Sequence, residues 1–233
     1  MKTKTAAKGL TAVDVNLRIV TAFDGSEARR YRTRFVEALS KRARAEEIQK
    51  RYSKRWRYNE RILNRVKALH RRARNIINDF CWKLAKDIVV KAHKRRHAVV
   101  LEDLEHLKES VNGKSSSVRW KLALFAYRRF QHAVMSKAIE CNVPVVVVDP
   151  RNTSSICPRC GSRLVYVHRL AICKTCGFKR DRDFVGATNI YLRGMWGSAG
   201  SSPNGGGMKG EIRQTTPNRN EPMTIYIKSY TSI

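Results

Sequence analysis

The chain has 233 residues, room for one large domain or one domain with a small insert, and 42% of them are hydrophobic, too many for a disordered basic tail. Lys and Arg number 48 against 19 Asp and Glu, a formal charge of +29, which calls for a polyanionic partner; nucleic acid is the commonest in a cell. Apolar runs such as Val143–Val148 and Ala98–Leu101 fall far short of the roughly 20 residues that span a bilayer, and no apolar signal segment follows the basic N-terminus, so a cytoplasmic, nucleoid-associated location without a membrane partner is expected.

In chain order, Gly9–Leu17, Arg18–Phe23 and Glu27–Phe35 read as strands, with an Asp24-Gly25 turn between the last two, and predict a three-strand antiparallel meander. From Val36 to Lys94 there is no Gly or Pro, and Ile62, Val66, Leu69, Ala73, Ile76, Ile77, Phe80, Leu84 and Ile88 recur at three- and four-residue spacing. That spacing is one buried stripe on a long helix, and a break near Tyr58-Asn59 makes the segment a pair of helices. Between Arg29 and His97 stand 24 Lys or Arg and 6 acids, a net +18 in 69 residues, with Tyr52, Trp56 and Tyr58 interleaved. A solvated face is the plain alternative, but so lopsided a balance makes this hairpin the expected nucleic-acid surface, with Arg51, Lys54, Arg55, Trp56, Arg61, Arg65, Arg71 and Arg72 as contacts.

His97–Asp103 reads as a short buried strand ending on acids, followed by a loop over Asn112–Ser117 in which Ser117 caps a helix from Val118 to Cys141. Trp120 and Phe125 are expected core anchors on that helix. Val143–Val148, apolar on both faces, predicts a strand in the sheet interior. Arg151, Thr153 and Ser154 precede a cysteine-bearing segment and either touch phosphate or cap a turn. Asp183–Leu192 predicts the last helix, and seven of the 17 residues Gly194–Gly210 are Gly, which predicts a flexible tail.

Cys157-Pro-Arg-Cys160-Gly161 and Cys173-Lys-Thr-Cys176-Gly177 stand 12 residues apart. Each C-x-x-C forms a knuckle, and two knuckles supply a closed tetrahedron for a structural Zn²⁺. The Gly after each pair suits a turn with positive φ. Cys81 and Cys141 fall on helices and read as core packing, and none of the six histidines has a partner at metal-ligand spacing.

In a chain so poor in acids, Asp14 in the first strand, Glu102 at the end of the fourth, and Asp181 and Asp183 before the last helix stand out. Singly, Asp14 reads equally as a surface residue, Glu102 as the partner of an arginine, and Asp183 as a helix cap. Together they would repel unless divalent ions joined them, and two such ions about 4 Å apart serve phosphodiester hydrolysis; Mg²⁺ or Mn²⁺ suits this all-oxygen setting. The element order, an antiparallel meander, helices, a strand ending in Glu, a helix, a strand and a late Asp opening a helix, matches an RNase H-like nuclease layout. The expected fold class is therefore α/β, a mixed five-stranded sheet with helices, a basic helical insertion and an inserted four-cysteine zinc ribbon.

Val148–Gly161 (VDPRNTSSICPRCG) followed by Cys173–Ile190 (CKTCGFKRDRDFVGATNI) resembles the zinc ribbon and third catalytic motif of the transposon-encoded TnpB proteins, relatives of the type V CRISPR effector nucleases. Ala98–Leu104 (AVVLEDL) resembles that family's second motif and Thr11–Gly25 (TAVDVNLRIVTAFDG) its first, so the resemblance spans about residues 9–193. It implies a RuvC-type, RNA-guided, transposon-associated DNA endonuclease with Asp14, Glu102 and Asp183 as metal ligands, Asp181 being a less favoured substitute for the last. It further implies unwound or single-stranded DNA and a guide RNA as partners, with Arg151 added to the contact set. Val185-Gly186 departs from the Asn-Ala of the family's motif, and the sequence begins close to the first nuclease strand, where full-length relatives first carry wedge and recognition domains. The expected domains are a nuclease domain over 1–150, including the hairpin at 36–94, a ribbon insertion at 151–180, a last nuclease helix at 181–194 and a tail at 195–233. A repressor-like binding protein derived from such a nuclease and an unguided RuvC-type resolvase, the latter a dimer, are the alternative expectations.

Overall fold

The computed structural model describes residues 7–103 and 118–197, with side chains for 7–103 and 126–195. The 112–117 loop, the Ser117 cap, the side chains of Trp120 and Phe125 and the tail beyond residue 197 lie outside what is described.

Strands β1 (Gly9–Val15), β2 (Ile19–Phe23) and β3 (Ala28–Arg32) form the antiparallel meander, and β4 (His97–Glu102) and β5 (Val145–Val148) join parallel to β1 in a mixed sheet of order β3-β2-β1-β4-β5. The Asp24-Gly25 turn closes as its sequence predicts: Gly25 has φ 94°, and the Asp24 carboxylate accepts from the backbone of Ser26 and Glu27 at 3.1 and 2.8 Å. Phe35, expected at the end of a strand, instead begins helix α1 (Phe35–Arg51) and is fully buried against Phe80 and Tyr127. Its aromatic area is worth more inside the helical layer than on the edge strand β3, whose burial is only partial.

A 3₁₀ turn (Ser53–Arg57) leads into helix α2 (Glu60–Arg95), capped by Asn59, which accepts from the amide of Ile62 at 3.2 Å. At 36 residues α2 runs about 54 Å, longer than the sheet it crosses. Its second half packs Ile77, Cys81, Leu84, Ile88, Val89 and Ala92 on Val13, Val20, Val99 and Leu101 of the sheet, together with Phe130 and Val134 of α3 (Val118–Glu140). The first half folds back on α1 around Ala45, Val66 and Leu69. Cys81 is a core residue: its thiol faces the Ala126 carbonyl at 3.7 Å, and burial pushes its pKa up to about 12.

The other sheet face is covered by α4 (Arg182–Gly197), which presses Ile190, Tyr191 and Met195 onto Leu10, Ala12, Ala98, Val100 and Val148. The approach is close. A Cβ at Gly194 would stand 2.7 Å from Val100 Cγ2. β5 is an edge strand, not the interior strand its apolar run predicts. Helices explain the difference, because Val145 packs on the α2–α3 face and Val146 and Val148 on the α4 face, so both sides are covered without a flanking strand. Between β5 and α4, strands β6 (Leu164–Val167), β7 (Leu170–Cys173) and β8 (Lys179–Asp181) make a separate antiparallel ribbon. Among the described residues no helix is long and apolar enough to cross a membrane.

Candidate metal centre and nucleic-acid surface

Strand alternation explains where the acids go. On β1, Leu10 and Ala12 face α4, so Asp14, two residues on, shares that face; on β4, Ala98 and Val100 put Glu102 there as well. The parallel pairing of Ala12 with Val100 sets Asp14 and Glu102 at the same level of neighbouring strands. Asp183 enters from above, in the first turn of α4. Both aspartates are buried, Asp14 at 9% exposure and Asp183 at 2%, and the side-chain amide of Asn16 donates to both, at 2.7 Å to Asp14 and 3.3 Å to Asp183. Asp14, Asn16, Glu102, Tyr127, Thr153 and Arg182 line one cleft of about 360 Å³.

The electrostatics are strained. Burial, then the charges of Glu102 and Asp183, push the Asp14 pKa up to about 7, against the Asn16 hydrogen bond and the charge of Arg182. Burial also raises Glu102, offset by the Thr153 hydroxyl, which donates at 2.7 Å, and by the charge of Arg193. An all-oxygen donor set of this kind has the chemistry to hold Mg²⁺ or Mn²⁺. The guanidinium of Arg169, from the β6–β7 turn, pairs with Asp183.

Asp181 is placed differently. Its carboxylate accepts from the Asp183 amide at 2.9 Å, pairs with Arg30 at 2.7 Å and lies 3.5 Å from Arg169 Nε. It caps α4 and ties it to β3.

Gly186 gives the departure from the Asn-Ala motif a spatial meaning. A Cβ there would lie 2.8 Å from Asp14 Oδ2, so the helix backbone itself abuts the carboxylate. Gly186→Ala is expected to displace Asp14 and cost about 1–3 kcal/mol by overpacking, read from denaturant unfolding; an unchanged midpoint would contradict this close fit.

The four cysteines form one cluster, all ligand atoms within 4.8 Å, with Cys157 facing Cys176 at 3.6 Å and Cys160 facing Cys173 at 3.5 Å. The knuckles match. Gly161 and Gly177 have φ 73° and 70°, their amides donate to the carbonyls of Cys157 and Cys173 at 2.9 and 3.0 Å, and both serve the turn their positions predict. Four thiols without an open position suit a structural tetrahedral ion.

Arg51, Lys54, Arg55, Arg61, Arg65, Arg71, Arg72 and Arg151 are all exposed. Trp56 is half-buried against the Ala45–Val66–Leu69 cluster with Arg57 over its ring at 5.3 Å, whereas Tyr58 at the hairpin tip is 88% exposed. Arg151 pairs with Asp149 at 2.7 Å, and Thr153 contacts Glu102 as well as its own turn. Asn16, Arg169 and Arg182 escaped the sequence reading, and Gly186 entered it only as a departure from a motif; Asn16, two residues after a strand aspartate, carried a local signal.

Known proteins place these features in a class. The Cas12f1-like TNB domain family matches residues 127–190. TnpB-like protein MJ0751 of Methanocaldococcus jannaschii is 29% identical over 161 residues, 69% of this chain and 56% of that protein. MJ0856.1 of the same organism, which bears a transposase name, is 36% identical over 76 residues, 28% of this chain and 70% of that protein. The fold is shared with a Cas12f1–sgRNA–target DNA complex at TM-score 0.55 and 18% identity, covering 82% of this chain and 50% of that one. The chain belongs to the TnpB-like family, whose relatives include the type V effectors. It spans about half the length of MJ0751 and of the Cas12f1 chain.

Proposed function

We propose that this chain carries a RuvC-type nuclease domain that hydrolyses DNA phosphodiesters with divalent ions held by Asp14, Glu102 and Asp183. The observation that carries the reading is the approach of three carboxylates from two neighbouring strands and a helix start: Asp14 and Glu102 line one cleft, Asn16 bridges Asp14 to Asp183, and burial, then the charges of Glu102 and Asp183, raise the Asp14 pKa to about 7. Strand order β3-β2-β1-β4-β5 with α4 across it supports an RNase H-like assignment, on which 1–150 and 181–194 are read as one domain and 151–180 as an insertion.

Bound there, Mg²⁺ or Mn²⁺ would supply charge neutralisation at the phosphodiester and an activated water. The protein's own part is positional. Asn16 fixes Asp14 and Asp183 relative to each other, β1 and β4 set Glu102 beside Asp14, and α4 closes the face against bulk water. Arg182 lines the cleft with a positive charge suited to a phosphate oxygen. The four thiolates are read as a structural Zn²⁺ site.

RNA guidance is proposed from the family, and the helical hairpin is proposed as the surface that meets the nucleic-acid backbone. Replacing Arg71 and Arg72 together with Ala is expected to lower the slope of log affinity against log salt by about 2, evenly across sequences. An unaltered slope in fluorescence anisotropy would take these residues off the interface. The reaction is tested with labelled single- and double-stranded DNA, with Mg²⁺, Mn²⁺ or EDTA, and with co-purified RNA retained or stripped. Metal-dependent cutting supports hydrolysis, and its loss on stripping RNA supports guidance. A folded, zinc-loaded chain that binds nucleic acid and cuts nothing favours the repressor-like alternative.

A further inference from the structure

We propose that Thr153 is a positioning residue for Glu102, and that through it α4 and the segment entering the cysteine ribbon set the shape of the carboxylate cleft. The inference rests on the reading of Asp14, Glu102 and Asp183 as a divalent-cation site.

Glu102 is the last residue of β4, so the sheet holds its backbone but not the far end of a side chain with three rotatable bonds. Thr153 supplies the missing constraint. It is 4% exposed, its β-branched side chain is stiff, and its hydroxyl lies 2.7 Å from Glu102 Oε1. A hydroxyl has one proton to give. The Pro150 carbonyl, 3.0 Å from that hydroxyl, is the longer and uncharged alternative acceptor, so the hydroxyl proton is directed to the carboxylate.

Thr153 is itself held from α4. Asn189, 3% exposed, spends its side-chain amide on the carbonyls of Thr153 at 2.7 Å and Ile156 at 2.9 Å. One turn on, the Arg193 guanidinium donates to the carbonyls of Asp149 and Arg151. Residues 189 and 193 share a helix face, so one side of α4 grips four carbonyls of the 149–156 loop. The helix that presents Asp183 thus also governs, through this loop, where Glu102 sits. A residue serving only to cap its own turn would have no need of a half-buried carboxylate partner.

The test is Mn²⁺ binding by the purified, zinc-loaded full chain, read as the loss of the free-ion electron paramagnetic resonance signal. Wild type is expected to bind and Asp14→Asn not to. Thr153→Val, which keeps the shape and removes the hydroxyl, is expected to weaken binding about tenfold, as loss of a partner that orients a ligand does, while Thr153→Ser stays within about threefold of wild type. If Thr153→Val loses cooperative unfolding, Thr153→Ala reports the same comparison. Equal affinity in the hydroxyl-less variant, or a Ser variant as weak as Val, overturns the positioning role. Absence of Mn²⁺ binding by the folded wild type overturns the cation-site reading instead, and this inference with it.

Discussion

Removing the ion from the cysteine cluster is expected to melt the ribbon while leaving the five-stranded sheet folded. The ribbon has almost no core of its own: Cys157, Leu164, Ala171, Cys173 and Val185, with strands of three or four residues. Binding of structural Zn²⁺ by small domains is worth about 10–16 kcal/mol, which exceeds anything this apolar cluster can supply. The main sheet is independent, because α4 packs on β1, β2 and β4 through Ile190, Tyr191 and Phe184. Hydrogen exchange after chelation, or in Cys173→Ser, should show lost protection at the knuckle amides of Cys157, Gly161, Cys173 and Gly177, with β1 and β4 still protected. Knuckle amides that stay protected with no bound metal would contradict a metal-built ribbon.

Asp14→Asn is expected to stabilise the metal-free protein at pH 8 by an amount approaching about 4 kcal/mol. The folded chain holds the Asp14 proton up to about pH 7, whereas the unfolded chain releases it near the ordinary value of 3.8. Between those values the folded state binds more protons, so the Asp14 contribution to stability is intact below about pH 4, falls as pH rises, and is lost above about pH 7. Asparagine carries no charge and can still accept from Asn16, so the difference between wild type and variant should grow across this window and flatten beyond it. Saturating Mg²⁺ or Mn²⁺ should shrink the gap by stabilising the ionised form in wild type alone. Denaturant titrations at pH 4, 6 and 8 read this directly, and a pH-independent difference would show that the folded chain does not hold the Asp14 pKa above its ordinary value.

What the sequence made legible was local. The meander, the helix pair with its break before Asn59, and the two C-x-x-C-G knuckles follow from periodicity and from glycines that need positive φ. The acids could be picked out because they end apolar strands in a chain with few acids. Their partners could not, since Asn16 reaches Asp183 across 167 positions and Arg169 acts from a ribbon turn whose sequence carries no signal of a carboxylate partner. Gly186 read as a lapse from a motif until the close approach of α4 to Asp14 was visible. The edge position of β5 was hidden for a similar reason: an apolar run reports covered faces, and helices cover them as well as strands do.

The most direct test of the account compares wild type with Glu102→Gln in Mn²⁺- or Mg²⁺-dependent cleavage of labelled DNA. Glutamine keeps the shape and the contact with Thr153 but removes the charge, and zinc content, unfolding midpoint and nucleic-acid affinity serve as controls. The account predicts cleavage by wild type that EDTA abolishes, and a variant that folds, retains zinc, binds nucleic acid and does not cut. Cleavage that survives Glu102→Gln would contradict the Asp14–Glu102–Asp183 site.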